Sequence, residues 1–222
     1  MTSIAKLPAG LVEESQTERA YAAIEERIAT LQLAPGQVVS ENILSSMLGF
    51  GRTPVREALQ QLAREGLVLI LPKRGIVVSE IDVRRQLKLL EMRREVERSL
   101  VGAAARRAEE EERQEFGALA DAMFSITARE DGERFLPLDR AFNRLVLRAA
   151  KNEYGTAIMK LMQGLSRRFW FAHYKQFANL AETARLHATI AREISQGRAE
   201  QAMQALDALM DNVEAFTRAT LD

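Results

Sequence analysis

Arg52 and Arg56 stand four residues apart, with Thr53 and Pro54 between them, where the apolar-periodic stretch PVREALQQLAREG begins. A guanidinium presents a planar fork of donors that matches guanine O6 and N7 in the major groove. One turn of helix separates the two arginines. Thr53 and the free N–H groups of a first helical turn suit a phosphate oxygen. Lys73 and Arg74, in the turn Pro72-Lys73-Arg74-Gly75, could enter a minor groove or grip the backbone beside it. Composition removes other chemistries. The chain has no cysteine and only two histidines, His173 and His187, so disulfides, thiolate sites, thiol catalysis and a three-histidine metal site within one chain are excluded. No nucleophile–base–orienter set is visible, which argues against an enzyme.

The elements that would carry these residues are short and punctuated. In TERAYAAIEERIATLQL, Tyr21, Ile24, Ile28 and Leu31 recur at the helical interval, and Pro35-Gly36 stops the pattern. The apolar pair Val38-Val39 follows. Ser40 is placed to cap a helix over ENILSSMLGF, with Glu41 at the positive end of the dipole and Gly49 at the exit. In the next helix Val55, Leu59 and Leu62 share a buried face, Pro54 sits in the first turn, and either Gly51 or Thr53 is the cap. LVLIL and GIVVS then read as a hairpin with a basic tip. Three helices and a two-stranded wing make a winged helix-turn-helix pattern. Lys plus Arg equals Asp plus Glu at 31 each, so the whole chain gives no argument for a polyanionic partner. Over 51–75, five basic residues face two acidic ones, so positive charge gathers on the elements that would meet DNA. Helix-turn-helix units also serve as plain packing modules, and a basic hairpin tip also aids solubility.

From about 81 onward the β signals vanish. Helices are predicted near 82–108, 110–129, 133–150, 153–178, 180–196 and 198–220, with Asn152 as a cap, Gly197 as a break and Pro137 in early turns. Six amphipathic helices favour an antiparallel bundle. The fold class expected is therefore mainly α, a winged helix-turn-helix followed by an all-α bundle. The division expected is a flexible arm at 1–14, a winged domain at 15–80 and a helical domain at 81–222. The aromatic run Phe169, Trp170, Phe171, Tyr174 and Phe177 reads as core, and the glutamates at 109–112 as a solvated helix start. No targeting or membrane-spanning segment is visible, and the expectation is a cytoplasmic protein.

The stretch IEERIATLQLAPGQVVSENILSSMLGFGRTPVREALQQLAREGLVLILPKRGIVV resembles the DNA-binding domain of the GntR family of bacterial transcription regulators. The Pro-Gly–hydrophobic–Ser-Glu segment, the LG-x-x-R-T-P-V-R-E-A-L core, the EGL and the P-x-R-G-x-x-V wing stand in order over about 55 residues. The resemblance implies that Arg52, Thr53 and Arg56 contact an operator, with Arg74 and Gly75 at the wing and Lys73 beside them. Two positions depart. Gly51 stands where the family usually has a capping serine, and Asn42 where a basic residue often follows the Ser-Glu pair. The remaining helices are similar to the FadR-type effector domain, known as FCD. The similarity rests on LLEMRREVE with Glu91, Arg93 and Glu97, on LDRAFNRLVLRAAKNEY, and on RLHATIAREISQGRAEQAMQAL.

Many such domains hold a divalent metal with one aspartate and three histidines. Carried over, Asp139 and His187 remain, Asn143 replaces one histidine, and Leu209 takes the last position, with Asn212 three residues later. Two strong donors of four make a poor transition-metal site. No cofactor is expected, and a hard ion held weakly by oxygens and water is the alternative. The family fold would bring Arg93, Asp139, Asn143, His187 and Asn212 to one cavity, a seat for a small organic acid bound without metal. The competing reading of Arg93 is a salt bridge to Glu91, Glu97 or Asp139. The function implied is a homodimeric repressor that reads a short palindrome and is controlled by that acid. An acyl-CoA effector, and a helical protein-interaction module without DNA binding, are the alternatives.

Overall fold

The computed structural model describes residues 15–72, 75–126, 132–177 and 179–221. The expected arm at 1–14 and the tip residues Lys73 and Arg74 lie outside the described residues.

The first helix, α1 (Gln16–Ala29), opens on a reciprocal cap. Glu18 N–H donates to Ser15 Oγ at 3.1 Å, and Ser15 N–H donates to the Glu18 carboxylate at 2.8 Å. Strand β1 (Val38–Val39) leads to α2 (Glu41–Leu48), which Ser40 caps and Gly49 ends at φ +71°, a backbone value that suits glycine. Next comes α3 (Arg52–Arg64). Its cap is Gly51, which supplies no side-chain bond. Val55, Leu59 and Leu62 are buried together with Ile24 and Ile28 of α1, as the periodicity predicts. Strands β2 (Val68–Leu71) and β3 (Gly75–Val78) pair antiparallel, Leu71 opposite Gly75. The wing is not a simple hairpin. Val38-Val39 joins it as a third strand, Val38 opposite Val77, giving the order β1-β3-β2. Two residues are too short for a period-two signal to show in the sequence.

Helix α4 (Val83–Arg107) follows β3 after four residues, and then come α5 (Glu110–Phe124), α6 (Gly132–Ala150), α7 (Glu153–Phe177), α8 (Leu180–Ser195) and α9 (Ala199–Ala219). Asn152 caps α7 by accepting from Gly155 N–H at 3.1 Å. Pro137 lies inside α6. Helix α4 runs through the bundle against α6, α7, α8 and α9. It approaches α9 so closely at Gly102 that a Cβ there would stand 2.8 Å from Met203 Sδ. The bundle core gathers Leu100, Phe116, Met123, Ile190, Ile194 and Leu206. Among the described residues no helix is long and apolar enough to cross a membrane.

The two halves meet along α7. A Cβ on Gly164 would lie 2.6 Å from Leu67 Cδ1, so the small residue lets α7 approach the winged domain. Leu165 packs on the winged-domain core. Arg168 is buried without a carboxylate in contact. Its Nη1 donates to the Ser79 carbonyl at 2.7 Å and its Nη2 to the Glu80 carbonyl at 3.2 Å, at the exit from the wing. Burial pulls its pKa down to about 10.

Candidate nucleic-acid interface and effector cavity

Gly51, Arg52, Thr53 and Arg56 are all exposed at the start of α3, and Asn42 is exposed on α2. Neither arginine is covered by the helical half. Arg56 is held from the side by Glu41. Its Nε donates to Glu41 Oε1 at 2.9 Å and its Nη2 to Oε2 at 2.8 Å, a two-point fork across the turn. The fork leaves Nη1 open, on a side chain that is 58% exposed. The hydrogen bond from Arg56 holds the Glu41 carboxyl below the usual range. Glu41 is thus a positioning group that the sequence reading treated only as a dipole partner. Its spacing of 15 residues from Arg56 carries no local signal. Gly75 opens β3 at φ +91°. Ile43 and Met47, one turn apart on α2, are more than half exposed, as is Val38 of β1.

In the helical half, a cavity of about 870 Å³ brings Arg93, Asp139, Asn143 and His187 together. Asn212 is not among its lining. That side chain instead accepts from Thr183 Oγ1 at 3.3 Å, because its turn of α9 faces the start of α8. Arg93 donates from Nε to Glu97 at 2.8 Å, one turn along α4, so one of the competing ion-pair readings holds. The same guanidinium lines the cavity. His187 Nδ1 lies 2.8 Å from the Thr183 carbonyl, and Nε2 lies 3.2 Å from Asp139 Oδ1. A carbonyl only accepts, so Nδ1 is the donor in the contact with Thr183. Asn143 Nδ2 donates to the same Asp139 oxygen at 3.1 Å. Burial opposes the Asp139 charge, but His187 and Arg93 outweigh it and hold the carboxyl below its usual range. Phe135 and Phe142 stand edge-on to the imidazole. Phe169, Trp170 and Phe216 complete an aromatic wall, and Trp170 stacks on Tyr174 at 4.4 Å. The Phe177 side chain is outside the described set.

The profile for "Bacterial regulatory proteins, gntR family" matches residues 16–78, and that for "FCD domain" matches residues 88–212, more than half of the chain. The chain belongs to the GntR family, FCD type. This GntR regulator is 30% identical over 161 residues to the "Nta operon transcriptional regulator" of Aminobacter aminovorans, covering 70% of this chain and 73% of that one. It is 37% identical over 129 residues to an HTH-type transcriptional regulator in an unstable DNA locus of Streptomyces ambofaciens. That match covers 58% of this chain and about half, 53%, of the relative. Among solved structures, E. coli McbR/YncC superposes with a TM-score of 0.80 at 19% identity, covering 95% of this chain and all of that one. A GntR transcriptional regulator from Rhodococcus sp. RHA1 gives 0.70 at 22% identity, covering 93% and 99%. These two likenesses concern the fold alone. The family is one of transcriptional regulators, not enzymes.

The metal that FCD domains often hold does not fit the residues of this GntR regulator. Asp139 and His187 bond to each other directly, Asn143 spends its amide on the same carboxylate oxygen, and Leu209 offers no donor. Among the described residues no group of three or more His, Cys, Asp or Glu is gathered as a metal site would need.

Proposed function

We propose that this GntR regulator binds a short palindromic operator as a homodimer, represses from it in the cytoplasm, and is released by an organic acid bound without metal. The reading divides the chain into an arm at 1–14, a DNA-binding domain at 15–80 and an effector and dimerisation domain at 81–222. Arg52, Arg56 and Thr53 read and grip the DNA, aided by Asn42 and by Lys73, Arg74 and Gly75 of the wing. Arg93, with His187, Asp139 and Asn143 around it, receives the acid. The observation that carries the reading is the cavity itself, whose lining has six basic residues against four carboxylates. Its volume sits at the upper end of the roughly 300–1,000 Å³ of pockets that take drug-sized ligands. That room favours a second reading, in which the acid carries a ring or acyl chain against the aromatic wall. An acyl-CoA is the extreme case.

A homodimer is supported by an apolar stripe on α7, where Tyr154, Ile158 and Leu161 recur at helical spacing and are 76%, 45% and 49% exposed. The test uses the single tryptophan, Trp170, as the reporter. Carboxylates of increasing chain length are titrated while its fluorescence and binding to DNA from upstream of the gene are followed together. Saturable quenching coupled to loss of DNA binding is the expected result. DNA binding that no carboxylate alters would overturn the effector reading, and no DNA binding at all would favour the protein-interaction module.

A further inference from the structure

The cavity does not end inside the helical bundle. Its lining continues past Asp139 to Arg140 and Arg167 and onto Glu25 and Glu26 of α1, in the winged domain. There a single carboxylate holds two arginines from two helices. Glu26 accepts from Arg140 Nη2 at 2.6 and 2.7 Å and from Arg167 Nη2 at 2.6 Å. Arg167 Nη1 reaches Glu25 at 2.7 Å. Burial works against the Glu26 charge, yet the arginines outweigh it and hold the carboxyl below its usual range. Burial pushes Glu25 the other way, upward.

The fit is incomplete. Both contacts from Arg140 to Glu26 come from one nitrogen, Nη2, and Arg140 Nε is buried with no partner. An arginine that engages an oxyanion fully does so through two parallel N–H groups. A buried donor left unmade costs free energy, so an oxyanion that satisfied it would bind more favourably than Glu26 does. Arg140 and Arg167 both line the cavity that Arg93, Asp139 and His187 line.

We propose that Arg140 and Arg167 form an oxyanion subsite at the domain seam, that Glu26 of α1 fills it from within, and that the acidic head of an effector displaces Glu26 from it. The proposal rests on the effector reading above and extends it, since such a ligand touches the DNA-binding half directly. Displacement breaks contacts that hold α1 to α6 and α7, and so changes how the winged domain is seated. An internal occupant lowers apparent affinity by the fraction of time it blocks the site. Removing its charge should therefore strengthen binding.

Sulfate serves as the probe, compared with chloride at equal ionic strength so that screening is matched. Hydrogen exchange of the α1 amides is the readout on the full chain. Sulfate should speed exchange in α1. In Glu26→Gln, sulfate protection of Arg140 and Arg167 from guanidine-directed labelling should reach half-effect at about tenfold lower concentration. Arg140→Ala should abolish both responses. Equal half-effect concentrations for Glu26→Gln and the parent, or α1 exchange that sulfate leaves unchanged, would overturn the proposal. Glu26 is at the edge of the seam, and glutamine is a good helix former, so this variant should fold. Failure of the effector reading shows separately, as Trp170 fluorescence that no carboxylate alters while sulfate still acts on α1.

Discussion

At Gly51 the backbone has φ −64° and an added Cβ would meet nothing nearer than Pro54 at 3.6 Å. Any residue can sit there, and α3 begins without a side-chain cap. Gly51→Ser should therefore raise thermal stability slightly, by roughly 0.5 kcal/mol, and tighten DNA binding by adding a hydroxyl at the phosphate. Melting and DNA titration check the two parts. Arg56→Ala should weaken DNA binding by about tenfold or more at moderate salt. Glu41→Ala should weaken it less and blur base preference, since the charge stays while the fork that aims it is lost; anisotropy on matched and mutated sites separates the two. Asp139 makes a third prediction. Its folded pKa lies below the ordinary 3.8, so its contribution to stability is present above that value and lost as pH falls through the folded pKa. Melting temperature should drop below about pH 4, and Asp139→Asn should flatten that acid limb.

At the scale of elements, the seam depends on one small residue. Gly164→Ala places a methyl 2.6 Å from Leu67 Cδ1, on a side chain that is fully buried in the winged-domain core. The cost should be about 1–3 kcal/mol, and it should fall on the domain contact rather than on either core. Calorimetry should then resolve two transitions where the parent shows closer coupling. The elements themselves were legible because each carries its own local code. Ser40 and Gly49 bracket α2, the Val55–Leu59–Leu62 stripe marks α3, and Asn152 starts α7. What stayed hidden is non-local. The pairing of Val38 with Val77, the fork from Glu41 to Arg56, and the bond from Asn212 to Thr183 join residues far apart in the chain, and none leaves a periodic trace. The Arg93–Glu97 pair was one of several partners that spacing allowed, and only packing chose among them.

At the scale of the whole molecule, the stripe of Tyr154, Ile158 and Leu161 predicts an assembly. Ile158→Glu should turn the expected homodimer into a monomer by sedimentation and, because two reading heads are needed for a palindrome, should abolish specific DNA binding while leaving the fold intact. Helix α4 spans 25 residues, roughly 37 Å, from the wing to the far end of the bundle. Through Gln86 and Arg93 it lines the cavity, so one unbroken element joins the cavity to the wing.

Two unlike fasteners hold the halves together. Of the carboxylate–arginine pairs, those of Glu26 are partly open to solvent and weaken in brine or acid, while Glu25 is buried. The grip of Arg168 on the carbonyls of Ser79 and Glu80 is buried and made to main-chain oxygens, with the Glu80 charge acting on it only at longer range. Loosening the first leaves the second in place. Salt therefore acts unequally on the two attachments, on the Glu26 pairs before the Arg168 grip.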